Sequence, residues 1–346
     1  MISFTCDYSE GAHPGILERL LQTNFVQVPG YGNDPFCASA KEKIRHCIGR
    51  PEADVFFLVG GTQTNSTVID AMLRGYEGVI AAHSGHIAVH EAGAVEFSGH
   101  KVLCIPSSDG TLDPSAVRDF LEAFHSDPSA DHMVQPGMVY ISFPTEWGTL
   151  YTKAALMELH DICQKWSIPL FVDGARLGYG LCSKHSDITI DELASFCDVF
   201  YIGGTKCGAL CGEAVVFPRG NAPSHFFTTV KQHGALLAKG RLLGLQFDTL
   251  FTDNLYFEIC SSAMDMAERL GELFAANGIP MYIPSPTNQL FPVLTPGQYS
   301  FLKSQVIFED WMSLPDGNKV VRFATSWATD KSQIEELSAI LESMPK

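Results

Sequence analysis

Seven short apolar runs constrain this chain more than any other feature of its sequence. They read VFFLVG, GVIAA, KVLCIP, MVYISF, PLFVDG, VFYIGG and AVVFP, and all lie between residues 53 and 218. Each is too short for a buried helix and apolar, and most are rich in β-branched or aromatic residues and bounded by Gly, Pro or Asp, so each reads as a buried strand. Amphipathic helical stretches separate them. DPSAVRDFLEAF opens on Asp113 as cap and Pro114 as first residue, and TKAALMELHDICQKW opens on Thr152. Strands and helices in alternation predict an α/β fold with a largely parallel sheet covered on both faces.

After about residue 240 the pattern changes. A long helical stretch near 252–277 is followed by two strand-like pieces, PTNQLFPVL and KVVRFATSW, and a terminal helix, DKSQIEELSAILESM. The expected division is an N-terminal segment, 1–20, packing near the site, a large domain, 21–245, and a smaller α+β domain, 246–346.

In an open parallel sheet, ligands gather at the carboxyl ends of the strands. Three strand ends carry informative residues. Gly60, Gly61 and Thr62 follow the first run and open a helix, which aims backbone N–H groups at an anion and suits a phosphate. The spacing is neither that of a nucleotide P-loop nor a dinucleotide fingerprint. Asp173 closes PLFVDG, with Arg176 three residues on; taken alone this reads as a turn aspartate and a surface arginine. Lys206 follows VFYIGG among Gly203, Gly204 and Gly208. Partial desolvation there would lower its pKa and free its amine as a nucleophile toward a carbonyl. Phosphate cradle, carboxylate and amine together are what pyridoxal 5'-phosphate requires.

The ordered set GGTQTN, HSGHIAVHEAGA, VDGARLG and GGTKCGALCGE resembles the threonine aldolases, fold type I pyridoxal-phosphate enzymes, close to the branch that cleaves phenylserine-type substrates. The likeness runs from CDYSEGAHP to VVRFATSWAT. It implies an aspartate aminotransferase-like large domain with a mostly parallel seven-stranded sheet. By resemblance, Lys206 is the Schiff-base lysine, Gly61 and Thr62 bind the cofactor phosphate, His86 stacks on the ring and Asp173 pairs with its nitrogen. Arg176 and Arg322 match arginines near the cofactor hydroxyl and the substrate carboxylate, and Asn65, Tyr31, Asp34 and Glu91 fall in matching motifs.

The departures from that pattern bear on the chemistry. Where many relatives have an NTH motif, this chain reads FPTEWGTLYT, with Thr145 and Glu146 in the corresponding stretch. The base acting on the substrate hydroxyl is therefore open among His83, His86, Glu146 and a water. Cys6 stands where a serine near the substrate carboxylate is usual. VKQHGALLAKG replaces RKxxGGGMRQ, and Lys231 or Lys239 could supply a phosphate contact across a subunit boundary.

The implied reaction is cleavage of a β-hydroxy-α-amino acid, of threonine, allo-threonine or phenylserine type, to glycine and an aldehyde. The alternatives are β-elimination from an amino acid on the same cofactor and a non-catalytic binding or assembly protein that keeps the fold. A metal site on His83, His86 and His90, spaced as on a helix, is a further possibility, and the C-x3-C pair Cys207 and Cys211 lacks a matching second pair. The resemblance also implies a homodimer or homotetramer with sites at the subunit boundary.

Composition limits the other classes. The formal net charge is -16, from 23 Lys and Arg against 39 Asp and Glu, which disfavours nucleic acid and anionic membranes as partners. No window has the apolar length of a spanning helix, and the N-terminus resembles neither a secretory signal nor an organelle presequence. Ten cysteines without framework spacing predict reduced thiols and a cytoplasmic protein, with Cys104, Cys163 and Cys197 expected to be buried.

Overall fold

The computed structural model describes residues 1–344. Strand β1 (Ile2–Ser3) precedes the main sheet, which is built from β2 (Asp54–Leu58), β3 (Glu77–Ala82), β4 (Val102–Ile105), β5 (Gln135–Ser142), β6 (Leu170–Asp173), β7 (Val199–Gly203) and β8 (Glu213–Phe217). Their order is β2-β8-β7-β6-β5-β3-β4. β8 runs antiparallel to both of its neighbours, and every other pairing is parallel. All seven expected runs are strands of this one sheet.

Alternation along the strands feeds two cores. On β7, Phe200 and Ile202 pack on one face while Val199 and Tyr201 pack on the other; on β8, Ala214 and Val216 oppose Val215 and Phe217 in the same way. A sheet buried on both faces has no polar side to offer, which is why these strands are continuous apolar runs. The helices that cover it start where the sequence indicates. Asp113 accepts from Ser115 N–H ahead of the helix Pro114–Ser126, and Thr152 accepts from Ala155 N–H ahead of Lys153–Trp166. One of the cysteine expectations fails. Cys163 and Cys197 are buried, but Cys104 is exposed because β4 is an edge strand.

The C-terminal part forms a second, smaller layer. β9 (Gln289–Leu290), β10 (Val293–Leu294), β11 (Val306–Ile307), β12 (Glu309–Ser313) and β13 (Lys319–Ala324) complete the strand set. β13 is central and pairs antiparallel with β9, β10 and β12, while β11 pairs in parallel with β1. The helix Leu255–Ala276 buries Cys260, Ala263, Ala267, Leu270 and Phe274 at intervals of three and four residues, the stripe of an amphipathic helix. Leu270 and Phe274 share a core with Phe4, Phe308, Val321, Phe323 and Leu337. No helix among the described residues is long and apolar enough to cross a membrane.

Candidate active site

Strands β6 and β7 end side by side, and glycine is what allows it. A Cβ on Gly174 would stand 1.9 Å from the carbonyl oxygen of Tyr201, and one on Gly203 would stand 2.2 Å from that of Ala175. With both positions bare, Gly203 N–H donates to Gly174 O at 2.9 Å, and the turns after Asp173 and Gly203 lie against each other. Asp173 and Lys206 are thus brought to one end of the sheet.

A cavity of about 470 Å³ opens there, lined by Gly60, Gly61, Thr62, His86, Glu146, Arg176, Lys206 and Arg322 among others. Its anion-binding end is the start of the helix Gly61–Met72. That helix has no side-chain cap, Gly60 is extended, and a Cβ on Gly60 would meet nothing within 4 Å. Free backbone N–H groups at the positive end of a helix therefore face open space. Lys206 Nζ lies 5.9 Å from the centroid of the Tyr8 ring. Burial lowers the lysine's pKa, and the charge of Arg176 adds to that effect.

Asp173 is buried behind the lining, where its carboxylate accepts four hydrogen bonds. Tyr140 Oη donates at 2.6 Å and Asn65 Nδ2 at 2.8 Å to one oxygen; Tyr201 Oη at 2.5 Å and Ala175 N–H at 2.9 Å donate to the other. Burial pushes its pKa up, but the nearby His86 and these donors outweigh it, and the net direction is down. Asn65 belongs to this support rather than to the cavity wall. Its Nδ2 also donates to Glu91 Oε1 at 2.7 Å, and the same oxygen meets His86 Nδ1 at 2.7 Å. Glu91 therefore orients the imidazole while Asn65 ties it to Asp173.

Glu146 accepts from His86 N–H at 2.9 Å and from Ser142 Oγ at 2.6 Å, both at Oε1, which leaves Oε2 buried without a partner. Burial raises its pKa, so the carboxyl holds a proton more readily than an exposed glutamate. Glu213, at the start of β8, accepts from Thr205 Oγ1 at 2.8 Å and Gly204 N–H at 3.1 Å on the turn that carries Lys206. Its pKa is pushed up to about 8, chiefly by burial.

Several sequence-derived candidates lie elsewhere. His83 is exposed, precedes the short helix His86–Val89, which His90 follows as its C-cap, and accepts from Ser107 N–H at 3.1 Å. It does not line the cavity, and among the described residues no three His, Cys, Asp or Glu side chains gather as a metal site. Cys6 contacts Ser9 Oγ at 3.1 Å, outside the lining. Tyr31 is 44% exposed, with Lys231 Nζ 4.8 Å from its ring centroid, and Lys239 is exposed nearby in sequence. Asp34 caps the helix Pro35–Cys47 by accepting from Cys37 N–H.

Arg176 reaches the cavity, yet Nε and Nη2 are both committed to Asp7, at 2.6 and 3.0 Å. Asp7 was not singled out from sequence, nor were Tyr8, Gln289, Glu309 and Trp311, all four of which line the cavity. The available signal for Glu213 was a carboxylate directly ahead of an apolar strand.

A model of the family described as beta-eliminating lyase matches residues 17–339. Low specificity L-threonine aldolases of Pseudomonas aeruginosa and of a second Pseudomonas strain are each 28% identical to this chain. The alignments cover 97% of this chain in both cases and 95% and 96% of those proteins. The structure of a threonine aldolase from Leishmania major superposes with a TM-score of 0.95 at 41% identity, over 99% of each chain. An aspartate aminotransferase from Thermus thermophilus shares the fold alone, at a TM-score of 0.72 and 16% identity over 99% of this chain and 96% of that one. With a cavity at the strand ends, an amine beside a buried carboxylate, and a match across nearly its whole length, the chain belongs to the beta-eliminating lyase family.

Proposed function

We propose that this protein is a pyridoxal-phosphate-dependent aldolase that cleaves a β-hydroxy-α-amino acid to glycine and an aldehyde. The observation that carries the reading is the meeting of three groups in one cavity: the Gly60–Thr62 helix terminus, the amine of Lys206 and the guanidinium of Arg322. The named aldolases among its relatives support the choice of reaction within the family.

The residues fit the cofactor. Open N–H groups at a helix terminus, bare of any Cβ at Gly60, suit a phosphate, and Gly61 with Thr62 would hold it there. Lys206 would hold the aldehyde carbon through an amine whose lowered pKa favours the unprotonated form. Asp173, kept ionised by His86 and its donors, would set its negative charge behind the ring nitrogen, and His86 would cover the ring. When bound, the cofactor supplies a ring system that withdraws the electron pair of the breaking Cα–Cβ bond.

The chain's own groups do the rest. Arg322 docks the substrate carboxylate, and a planar guanidinium fork suits that shape. Arg176, with its fork on Asp7, offers its remaining edge to the cavity and fixes the N-terminal segment against the site. Glu146, whose carboxyl has a raised pKa and an unpartnered oxygen, lines the cavity and takes the proton of the β-hydroxyl. We place Tyr31, Lys231 and Lys239 toward the site of a second copy, in a homodimer or homotetramer, because they lie outside the cavity of their own chain. The division at 20 and 245 and a cytoplasmic location, argued from the cysteine usage, belong to the same reading.

The test is a visible absorbance spectrum of protein loaded with pyridoxal phosphate, together with an aldehyde assay on threonine, allo-threonine and phenylserine. The expected result is a yellow protein that releases aldehyde. In Lys206→Ala the cofactor band is expected to shift or vanish and turnover to fall at least about 10⁴-fold. Ammonia and a keto acid in place of aldehyde would move the assignment to β-elimination, and a colourless loaded protein would remove the enzyme reading altogether.

A further inference from the structure

Arg322 is held by two kinds of acceptor. Nη1 donates to Gln289 Oε1 at 3.1 Å and Nη2 to the carbonyl of Thr5 at 3.2 Å, and both are fixed parts of the fold. Nη2 also meets the carboxylate of Glu309, whose side chain keeps 41% of its surface in solvent. Glu309 sits opposite Arg322 in the β12–β13 register, and β12 is an edge strand with one neighbour and a register irregularity at Trp311. Glu309, Gln289, Trp311 and Arg322 all line the cavity. A carboxylate from the protein therefore stands where an incoming carboxylate would have to bind.

Two donors at the same place are left over. Arg322 Nε and Gln289 Nε2 are buried and meet no acceptor among the described residues. The orientation of Gln289 is set by its neighbour, because Oε1 must face the guanidinium and the amide NH2 group must then face away from it. Unpaired buried donors on residues that line a cavity carry a cost that an acceptor ligand would remove.

We propose that Glu309 is a resident stand-in for the substrate carboxylate, displaced from Arg322 when substrate enters, and that Gln289 is a second anchor for the arriving group. The inference rests on the aldolase reading of the site. Displacement exchanges one carboxylate for another on the same guanidinium, so no buried charge is left alone. Glu309 returns to water, which it already half occupies. Trp311 keeps its ring centroid 5.3 Å from the guanidinium carbon, so Arg322 stays covered while its partner changes. An amine without a carboxylate has nothing to exchange for Glu309, and the device thereby selects α-amino acids over amino alcohols.

The test compares wild type, Glu309→Gln and Gln289→Leu, each loaded with pyridoxal phosphate. Threonine and threoninol, its carboxylate-free analogue, are titrated by calorimetry, and KM and kcat are measured on threonine. In Glu309→Gln the Kd and KM for threonine are expected to fall about three- to tenfold. The effect should fall on KM rather than kcat, and threoninol binding should be unchanged. In Gln289→Leu the Kd for threonine is expected to rise about tenfold with threoninol again unchanged.

An unchanged or raised Kd for threonine in Glu309→Gln would overturn the proposal and leave Glu309 as a brace for Arg322. So would equal shifts for threonine and threoninol. A wild type that binds threonine in this carboxylate-dependent way yet releases no aldehyde would remove the aldolase reading and keep the exchange. A wild type that binds neither compound would overturn both.

Discussion

Two arginines reach the same cavity and are held in opposite ways. Arg176, at the end of the large sheet, gives two donors to Asp7, which is 0% exposed; Arg322, on the small sheet, shares one donor with a half-exposed glutamate and has Nε free. The first pair has a fully buried carboxylate and is satisfied in geometry, so removing its partner would strand a buried charge. The second can change partners at little cost. The same division extends to their surroundings, since Asp173 beneath the first is saturated by four donors while Gln289 beside the second has an unused amide N–H. On the proposed function, saturated groups would position the chemistry and unsaturated ones would receive what moves in and out.

Breaking the closed pair is expected to have the largest effect on the fold. Asp7→Ala leaves Arg176 buried and alone, and should cost about 3–5 kcal/mol in urea unfolding. A loss under about 1 kcal/mol would show that water reaches Arg176 freely and that the contrast between the two arginines is overstated. Asp173→Asn keeps the size of the side chain and removes its charge. It should lower kcat about 10²–10³-fold with a small change in KM, because the interaction lost is with developing charge rather than with substrate. A change in KM alone would assign Asp173 to binding.

The pH dependence of stability sharpens the same contrast. The carboxyl of Asp7 is held down at about 2, because the charges of Arg176 and Lys206 outweigh the burial that pushes it up. Its contribution is complete above the ordinary value of 3.8 and is lost as pH falls toward 2. Glu213 is raised to about 8 by burial, so the fold prefers its neutral form. Its contribution is complete below the ordinary 4.5 and is lost as pH rises through 8. Urea midpoints across that range should decline in wild type, and the decline should be flatter in Glu213→Gln. Equal slopes in the two proteins would mean that Glu213 titrates normally.

The smallest effect is expected where the pair is open. Glu309→Ala should cost less than Asp7→Ala, about 1–2 kcal/mol, because the carboxylate removed is half exposed, although the Arg322 guanidinium it leaves is as buried as that of Arg176. A loss comparable with that of Asp7→Ala would turn Glu309 into a structural residue and erase the distinction.

The division between legible and hidden parts of the site follows the same line. Asp173 and Lys206 could be read because each interrupts an apolar run at its end, where a parallel sheet gathers its ligands. Gly60 to Thr62 could be read because a helix begins directly after a strand. β12 could not, because EDWMS is an edge strand with no apolar alternation and an irregular register, so periodicity had nothing to detect. Glu309 and Trp311 were lost with it. Asp7 lies in a loop-like stretch and gains its meaning from Arg176, 169 residues away. Helical spacing alone would group the histidines at 83, 86 and 90, but the helix begins at His86, and of the three only His86 and His90 line the cavity.

Whether this cavity breaks the carbon–carbon bond of a β-hydroxy-α-amino acid is decided by the identity of the products. Protein loaded with pyridoxal phosphate should convert phenylserine or threonine to glycine and the matching aldehyde in equal amounts, with no ammonia released. Ammonia and a keto acid in their place, with no glycine formed, would mean that the bond broken is not Cα–Cβ and that the protein is a β-eliminating lyase instead.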